Sequence, residues 1–325
     1  VAESRINEKL RNTDAAAAER DLKLEVIKSF TDIWLREEQL RSATLDTLRT
    51  SRTKELFMLK SQEGKVLKTD VNRAILNHNN SLSEYVAVSS ALTREKIYMS
   101  FLTGISLDSL LAGRFDFSPF SDDGLQVSNT DPLLDSVPSV KSLMLRAELL
   151  GQQQKSERNK HAPAIGFEGF LGANQYTDIF NPFLYDSWYG ISYLGLSLRL
   201  QIISGSSTKN SVSRLKLEEK GIISKLDDEI NNVSNKSLLL MEEIRQAEYQ
   251  VGLFRQNAAL YEENLSLNQD RFDKGQINAY DLITDEIDFQ KEMTRLNEKR
   301  AELVYKQIEL INNTGALSSF IDSMR

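Results

Sequence analysis

The chain has 325 residues, 40% of them hydrophobic and 27% charged, with a formal net charge of −7; this is globular rather than disordered composition. The acidic balance argues against a general nucleic-acid binder. The lack of cysteine excludes disulfides, thiol catalysis and thiolate metal sites, and two histidines, His78 and His161, leave little for metal or general-base chemistry.

The first element is a long helix over about 2–61. Val26, Ile33 and Leu40 keep a seven-residue row, but Thr47 takes the next slot and Leu48 lies one position later. Gly64 then offers a reversal, because glycine alone adopts positive φ without steric cost. A second helix follows, with Val71, His78, Tyr85, Leu92 and Met99 in a heptad row. A short turn between two long helices makes an antiparallel hairpin.

All five prolines, Pro119, Pro132, Pro138, Pro163 and Pro182, fall in the middle of the chain. Proline breaks helix interiors, so the flanks can hold long helices and the middle cannot. Irregular structure is expected over 113–136, then a helix of about 137–160. Two strand patterns come next. One starts at Pro163 and runs through Ile165 to Gly172. The other runs from Trp188 to Ile202, with Leu194, Leu196, Leu198, Leu200 and Ile202 on one face and Gly195, Ser197, Arg199 and Gln201 on the other. Both reach the length of a membrane-spanning strand, about 9–11 residues. Tyr185, Trp188 and Tyr189 belong to an aromatic concentration between them, of the kind that favours a membrane–water interface. A soluble hairpin packed on a helix fits the same pattern. Two strands cannot close a barrel by themselves, so a membrane reading requires more strands, more subunits or both. No run of about 18 apolar residues occurs, so no transmembrane helix is expected.

The clearest helix covers about 206–272. Ile223, Ile230, Ile244, Val251, Ala258 and Leu265 form one heptad row, with Ser237 the polar intruder. Leu226, Val233, Leu240, Ala247, Phe254 and Tyr261 form the other. This is the a/d pattern of a coiled coil, and at about 1.5 Å per residue it predicts an elongated protein. The partner helix after Gly275 carries Leu282, Phe289, Leu296, Leu303 and Leu310.

The two hairpins repeat each other. Gly64 and Asp70 recur 211 positions later as Gly275 and Asp281, and Thr103-Gly104 recurs as Thr314-Gly315. A duplication of this length copies an architectural unit and points to a pseudo-symmetric assembly.

The ordered features resemble the outer-membrane efflux protein family, the TolC-like channels. The resemblance rests on His161-Ala162-Pro163 at the helix-to-strand passage, Gly195-Leu196-Ser197-Leu198 and Ile202-Ile203-Ser204-Gly205 before the long helix, and Arg271-Phe272-Asp273-Lys274-Gly275 followed by Asp281-Leu282 at the tip. Asn313-Thr314-Gly315-Ala316-Leu317 also fits, and about 300 residues are covered in all. Two departures stand out. Gln201 replaces a proline common in the family, and Lys60 stands where the signature arginine would, keeping the charge but losing the planar donor fork.

The resemblance implies a mostly α protein. Long antiparallel coiled-coil hairpins in two structural repeats form a periplasmic tunnel, and a membrane β-hairpin contributes to a trimeric twelve-stranded barrel. The expected division is 1–112 for the first hairpin, 113–136 for an irregular equatorial segment, 137–162 for a helix leading to the barrel, 163–205 for the β-hairpin, 206–317 for the second hairpin and 318–325 for a tail. The second repeat has a helix and strands before its long helix and the first does not. The full protein is therefore expected to carry about 75 further N-terminal residues, or more, if the repeats match.

The implied function is a passive outer-membrane duct for tripartite efflux or type I secretion. Its partners would be two further copies in a homotrimer, a periplasmic adaptor (membrane fusion) protein, an inner-membrane transporter and outer-membrane lipid, with no nucleic acid, cofactor, metal or enzymatic step. The alternative is a soluble elongated coiled-coil scaffold without transport activity. Under the duct reading Asp281, and secondarily Asp285, would belong to an acidic ring at the tunnel entrance. Asp281 is equally explained as a helix N-terminal carboxylate favoured by the macrodipole. Lys60, Gly64, Arg271 and Gly275 would form adaptor-docking tips, although either cation also suits pairing within its own helix.

Overall fold

A computed structural model describes residues 2–113, 115, 134–160, 162–176, 178, 183, 188–199 and 206–323. In chain order these form α1 (Ala2–Gln62), α2 (Lys68–Thr103), α3 (Leu107–Ala112), a single 3-10 turn at Leu134–Ser136, α4 (Pro138–Asn159), β1 (Ala164–Gln175), β2 (Trp188–Arg199), α5 (Ser207–Asp273), α6 (Ala279–Asn313) and α7 (Leu317–Ser323). Residues 1–12 with 142–227 make one compact unit, and 13–141 with 228–325 make the other.

In the first unit β1 and β2 pair antiparallel over their whole length, from Ala164 opposite Arg199 to Gln175 opposite Trp188. The register puts Ile165 opposite Leu198, Phe167 opposite Leu196 and Gly169 opposite Leu194 on one face. Ile165, Phe167, Leu171, Leu194, Leu196 and Leu198 are 71–88% exposed. The other face carries Gly166 opposite Ser197 and Glu168 opposite Gly195. The expected extension of β2 to Ile202 lies outside the described residues, as does most of the irregular middle segment. In the same unit α4 packs on α5, where Gln154 Nε2 donates to Glu219 Oε2 at 2.7 Å.

The second unit holds most of both helical hairpins, from residue 13 of α1 and residue 228 of α5 onward. Their duplication is written in the backbone. Among the described residues, four glycines have positive φ, Gly64 (75°), Gly104 (71°), Gly275 (71°) and Gly315 (79°), two pairs 211 positions apart. The tip hydrogen bonds repeat at the same offset. Gly64 N donates to Ser61 O at 3.0 Å and Lys65 N to Lys60 O at 2.9 Å; Gly275 N donates to Phe272 O at 3.0 Å and Gln276 N to Arg271 O at 2.8 Å. This pair of bonds closes a helix end around a left-handed residue and satisfies carbonyls that would otherwise be orphaned.

The α5/α6 seam follows the heptad reading. Val233, Leu240, Ala247, Val251, Ala258 and Leu265 are buried, as are Leu282, Leu296, Leu303 and Leu310. Lys236–Glu309 at 2.9 Å and Lys306–Glu243 at 2.7 Å flank it. Ser237 is buried too, and accepts from Asn313 Nδ2 at 2.9 Å while its hydroxyl donates to Val233 O at 3.0 Å. Three heptad positions depart from the expectation. Ile223, Tyr261 and Tyr85 stay exposed, the tyrosines keeping amphipathic rings at the edge of a seam.

The irregular stretch of α1 also resolves. The buried row runs through Ala43, Thr50 and Phe57, and Leu45 and Leu48 face outward. Thr50 is tolerated because its hydroxyl bonds Asp46 O at 2.9 Å and meets Ser81 Oγ at 2.7 Å; a buried hydroxyl without partners would be costly. Trp34 packs against Ala301, Val304, Ile308, Ile311 and Leu317, so α7 closes the same core.

Candidate functional site: hairpin tips and exposed strands

At the tip end the two hairpins share one apolar cluster of Phe57, Val71, Ala74, Leu265, Phe272, Ala279, Leu282 and Ile283. The rings of Phe57 and Phe272 lie 5.0 Å apart. This cluster fixes the two reversals side by side. A groove of about 550 Å³ separates them, with Lys60, Leu67, Asp70, Asp273, Gly275 and Asn278 among its walls.

The two signature cations differ in situation. Lys60 turns toward the second tip. Its Nζ lies 4.0 Å from the Phe272 ring centroid, 3.3 Å from Phe272 O and 3.4 Å from Asp273 Oδ1. Arg271, its counterpart at the 211 offset, is exposed, with Nη1 donating to Asn268 Oδ1 at 3.4 Å. Gly64 and Gly275 stand at the apex of each reversal, and a Cβ at either would meet nothing within 4 Å. Their requirement is conformational and not steric.

The helix starts beyond the tips also differ. Asn278 caps α6, its Oδ1 accepting from Asp281 N at 2.9 Å, whereas Leu67 at the start of α2 supplies no side-chain cap. Asp281 is exposed in the first turn of α6. Asp285 is half-buried and accepts from Asn268 Nδ2 at 2.7 Å. The structure thus leaves Asp281 facing solvent and ties Asp285 to α5. Asp70, the counterpart of Asp281, pairs with Arg73 at 3.6 Å, and Arg73 also lies 5.0 Å from the Tyr280 ring centroid in the other hairpin.

In the strands, Trp188 and Tyr189 sit at the loop end of β2, both exposed, opposite Gln175 and Asn174. Tyr189 lies 5.9 Å from the ring of Tyr176. Tyr185 falls outside the described residues.

Some residues that hold this arrangement are not marked by sequence motifs. Phe272 belongs to the tip signature, but its role as the hub for Phe57 and Lys60 comes from the pairing of two hairpins. Glu286 is buried in the middle of the hairpin pair, bonded by Thr53 of α1 and Asn77 of α2. Its spacing from Leu282 and Phe289 puts it beside the apolar row of α6, but nothing local says what a carboxylate there would meet. Among the described residues no group of three or more His, Cys, Asp or Glu could hold a metal ion. No described helix is long and apolar enough to cross a membrane.

No protein-family model matches the sequence, and neither does any curated protein. Solved structures do match in shape. The CmeC outer membrane channel of Campylobacter jejuni aligns with a TM-score of 0.75 at 14% identity, covering 99% of this chain and 70% of that one. The MtrE outer membrane channel of Neisseria gonorrhoeae, in its open state, gives 0.76 at 14% identity, covering 97% and 71%. The outer membrane protein VceC of Vibrio cholerae gives 0.70 at 13% identity, covering 96% and 76%. Paired helical hairpins with congruent glycine tips, joined to a strand hairpin with an exposed apolar face, are the features these alignments span: the chain has the TolC-like fold of outer-membrane channels.

Proposed function

We propose that this chain is a protomer of a passive export duct, set in the outer membrane by its strand hairpin and extended into the periplasm by its helical hairpins. The observation that carries the reading is the β-hairpin. Six large apolar side chains on one face stand 71–88% exposed, while the opposite face is small or polar around Gly166, Glu168, Gly195 and Ser197. In water such a face is a liability; in a barrel wall it is the lipid-facing side. Closure then needs strands from other copies, because open edges are not tolerated in lipid.

A homotrimer meets that need. An outward stripe on α5, Leu239, Leu253, Leu260 and Leu267, supports association between copies, since its members fall on one heptad row, interrupted at Gln246, yet stay exposed. The hairpin tips, with their groove and the exposed Arg271, are the surface for a periplasmic adaptor, through which an inner-membrane transporter would load the duct for tripartite efflux or type I secretion. Asp281 would ring the entrance in three copies. No cofactor and no enzymatic step enter this reading.

The test is purification from the full coding sequence in detergent, followed by planar-bilayer reconstitution. A trimeric mass with steady conductance supports the duct. A detergent-independent monomer or dimer without conductance supports the soluble scaffold instead.

A further inference from the structure

Glu286 lies 1% exposed on α6. Thr53 Oγ1 of α1 donates to its Oε1 at 2.5 Å, and Asn77 Nδ2 of α2 donates to its Oε2 at 3.3 Å. One carboxyl therefore ties the second hairpin to both helices of the first. The position has no such role in the other copy, where the residue at the 211 offset is Ile75. Beside it runs an open groove of about 550 Å³, lined by Glu286 itself with Asp46, Asn77, Ser81, Glu84 and Arg295 among others.

We propose that Glu286 is a proton-dependent fastener between the two hairpins: protonated, it seats α6 against α1 and α2; ionised, it draws water from the flanking groove and loosens that seat. The inference does not depend on the duct reading.

The geometry supplies the reason. A carboxylate offers about four acceptor sites, and among the described residues the side-chain donors to this one are Thr53 and Asn77. Arg49 of α1 is committed elsewhere, to Asp46 by a salt bridge and to the Phe289 ring at 5.1 Å. Asp46 opposes a second negative charge. Glu84 of α2 and Lys291 and Arg295 of α6 line the groove with opposing signs, and α5 adds no charged side chain to that lining among the described residues. His78, next to Asn77, meets Thr50 Oγ1 at 3.2 Å, and burial, aided by Lys54, holds it below the usual histidine range. Burial pushes the Glu286 carboxyl above the usual carboxylate range, against the lowering effect of Thr53, Arg49 and Asn77. The acid form keeps acceptor capacity for both bonds without a buried charge.

The sign follows. A raised folded-state pKa means the folded protein holds a proton that the unfolded chain has lost. The destabilisation from Glu286 is full above its folded pKa. It is relieved as pH falls through that value toward the ordinary carboxylate range.

The experiment is hydrogen exchange by mass spectrometry on the intact protein and its Glu286→Gln variant, between about pH 5 and pH 8, corrected for intrinsic rates. In the wild type, protection over residues 282–290 should rise several-fold toward acid. In Glu286→Gln it should be high throughout; any contribution from His78 persists in both proteins and cancels. Equal pH profiles in the two would overturn the proposal. Should Glu286→Gln fail to fold, Thr53→Val decides. Removing that donor from the carboxylate should move the wild-type transition to higher pH, and an unmoved transition overturns the fastener.

Discussion

Lys60 of the first tip covers the ring of Phe272 in the second, its ammonium 4.0 Å from the ring centroid and 3.3 Å from the Phe272 carbonyl. The duplicated cation at position 271 does nothing comparable; it points to solvent. The internal repeat thus puts one duplicated position in two situations: the first copy joins the hairpins, and the second is exposed, bonded within its own helix to Asn268. Phe272→Ala should destabilise the protein by about 3 kcal/mol, because a buried ring leaves both its transfer energy and a cavity behind. Lys60→Met should cost about 1 kcal/mol, the scale of a partly desolvated cation–π contact. Arg271→Ala should stay within about 0.5 kcal/mol. Urea titration of the three variants checks the ranking.

Glycine substitutions should split by sign. Gly64 and Gly275 hold φ of 75° and 71° with open space around a would-be Cβ, so Gly275→Ala should cost about 1 kcal/mol through conformation alone. Gly221 and Gly252 lie inside α5 with equally open surroundings. There alanine should stabilise by about 0.5–1 kcal/mol, since it removes unfolded-state freedom and suits the helix. Thermal or urea unfolding of Gly275→Ala and Gly252→Ala should move in opposite directions.

The Ser237–Asn313 pair invites a double-mutant cycle. Asn313 Nδ2 donates to Ser237 Oγ at 2.9 Å and to Val233 O at 2.8 Å. The corresponding first-hairpin positions are Val26 and Leu102. Asn313→Leu alone should cost about 1–2 kcal/mol, because it strips the buried serine of its donor. Ser237→Val combined with Asn313→Leu should recover most of that loss, as replacing both partners with apolar groups is close to neutral.

The tip charges carry the functional test of the docking and gate readings. Both Arg271 and Asp281 are exposed, so neither Arg271→Glu nor Asp281→Asn should shift the unfolding midpoint measurably. Arg271→Glu should weaken adaptor recruitment, read as cross-linking yield to the adaptor in cells. Asp281→Asn should relieve block by divalent cations in bilayer recordings, since a ring of three carboxylates concentrates cations at the entrance. Unchanged block would return Asp281 to the role of a helix N-terminal charge.

The hairpins, their glycine tips and the strand pair were legible in the sequence for one reason. Each rests on a local rule: heptad spacing, positive φ at glycine, or period-two alternation. What escaped the reading depends on a neighbour distant in sequence. The break at Thr47 and Leu48 gives way to a buried face that includes Thr50 and Thr53, whose partners Ser81 and Glu286 lie on other helices. Lys60 reads as a surface cation until the second tip arrives beside it. Glu286 falls beside the Leu282–Phe289 row, but its partners Thr53 and Asn77 come from two helices distant in sequence. Tyr85 and Tyr261 fail the other way, satisfying the period but staying at the seam's edge.

The most direct measurement is single-channel recording on the protein purified from its full coding sequence and inserted into a planar bilayer, with native mass determined on the same sample. A trimer that conducts steadily, and loses conductance when Leu194 and Leu196 are both replaced by Asp on the exposed strand face, is the expected result. A protein that remains monomeric or dimeric without detergent and never conducts would contradict the duct.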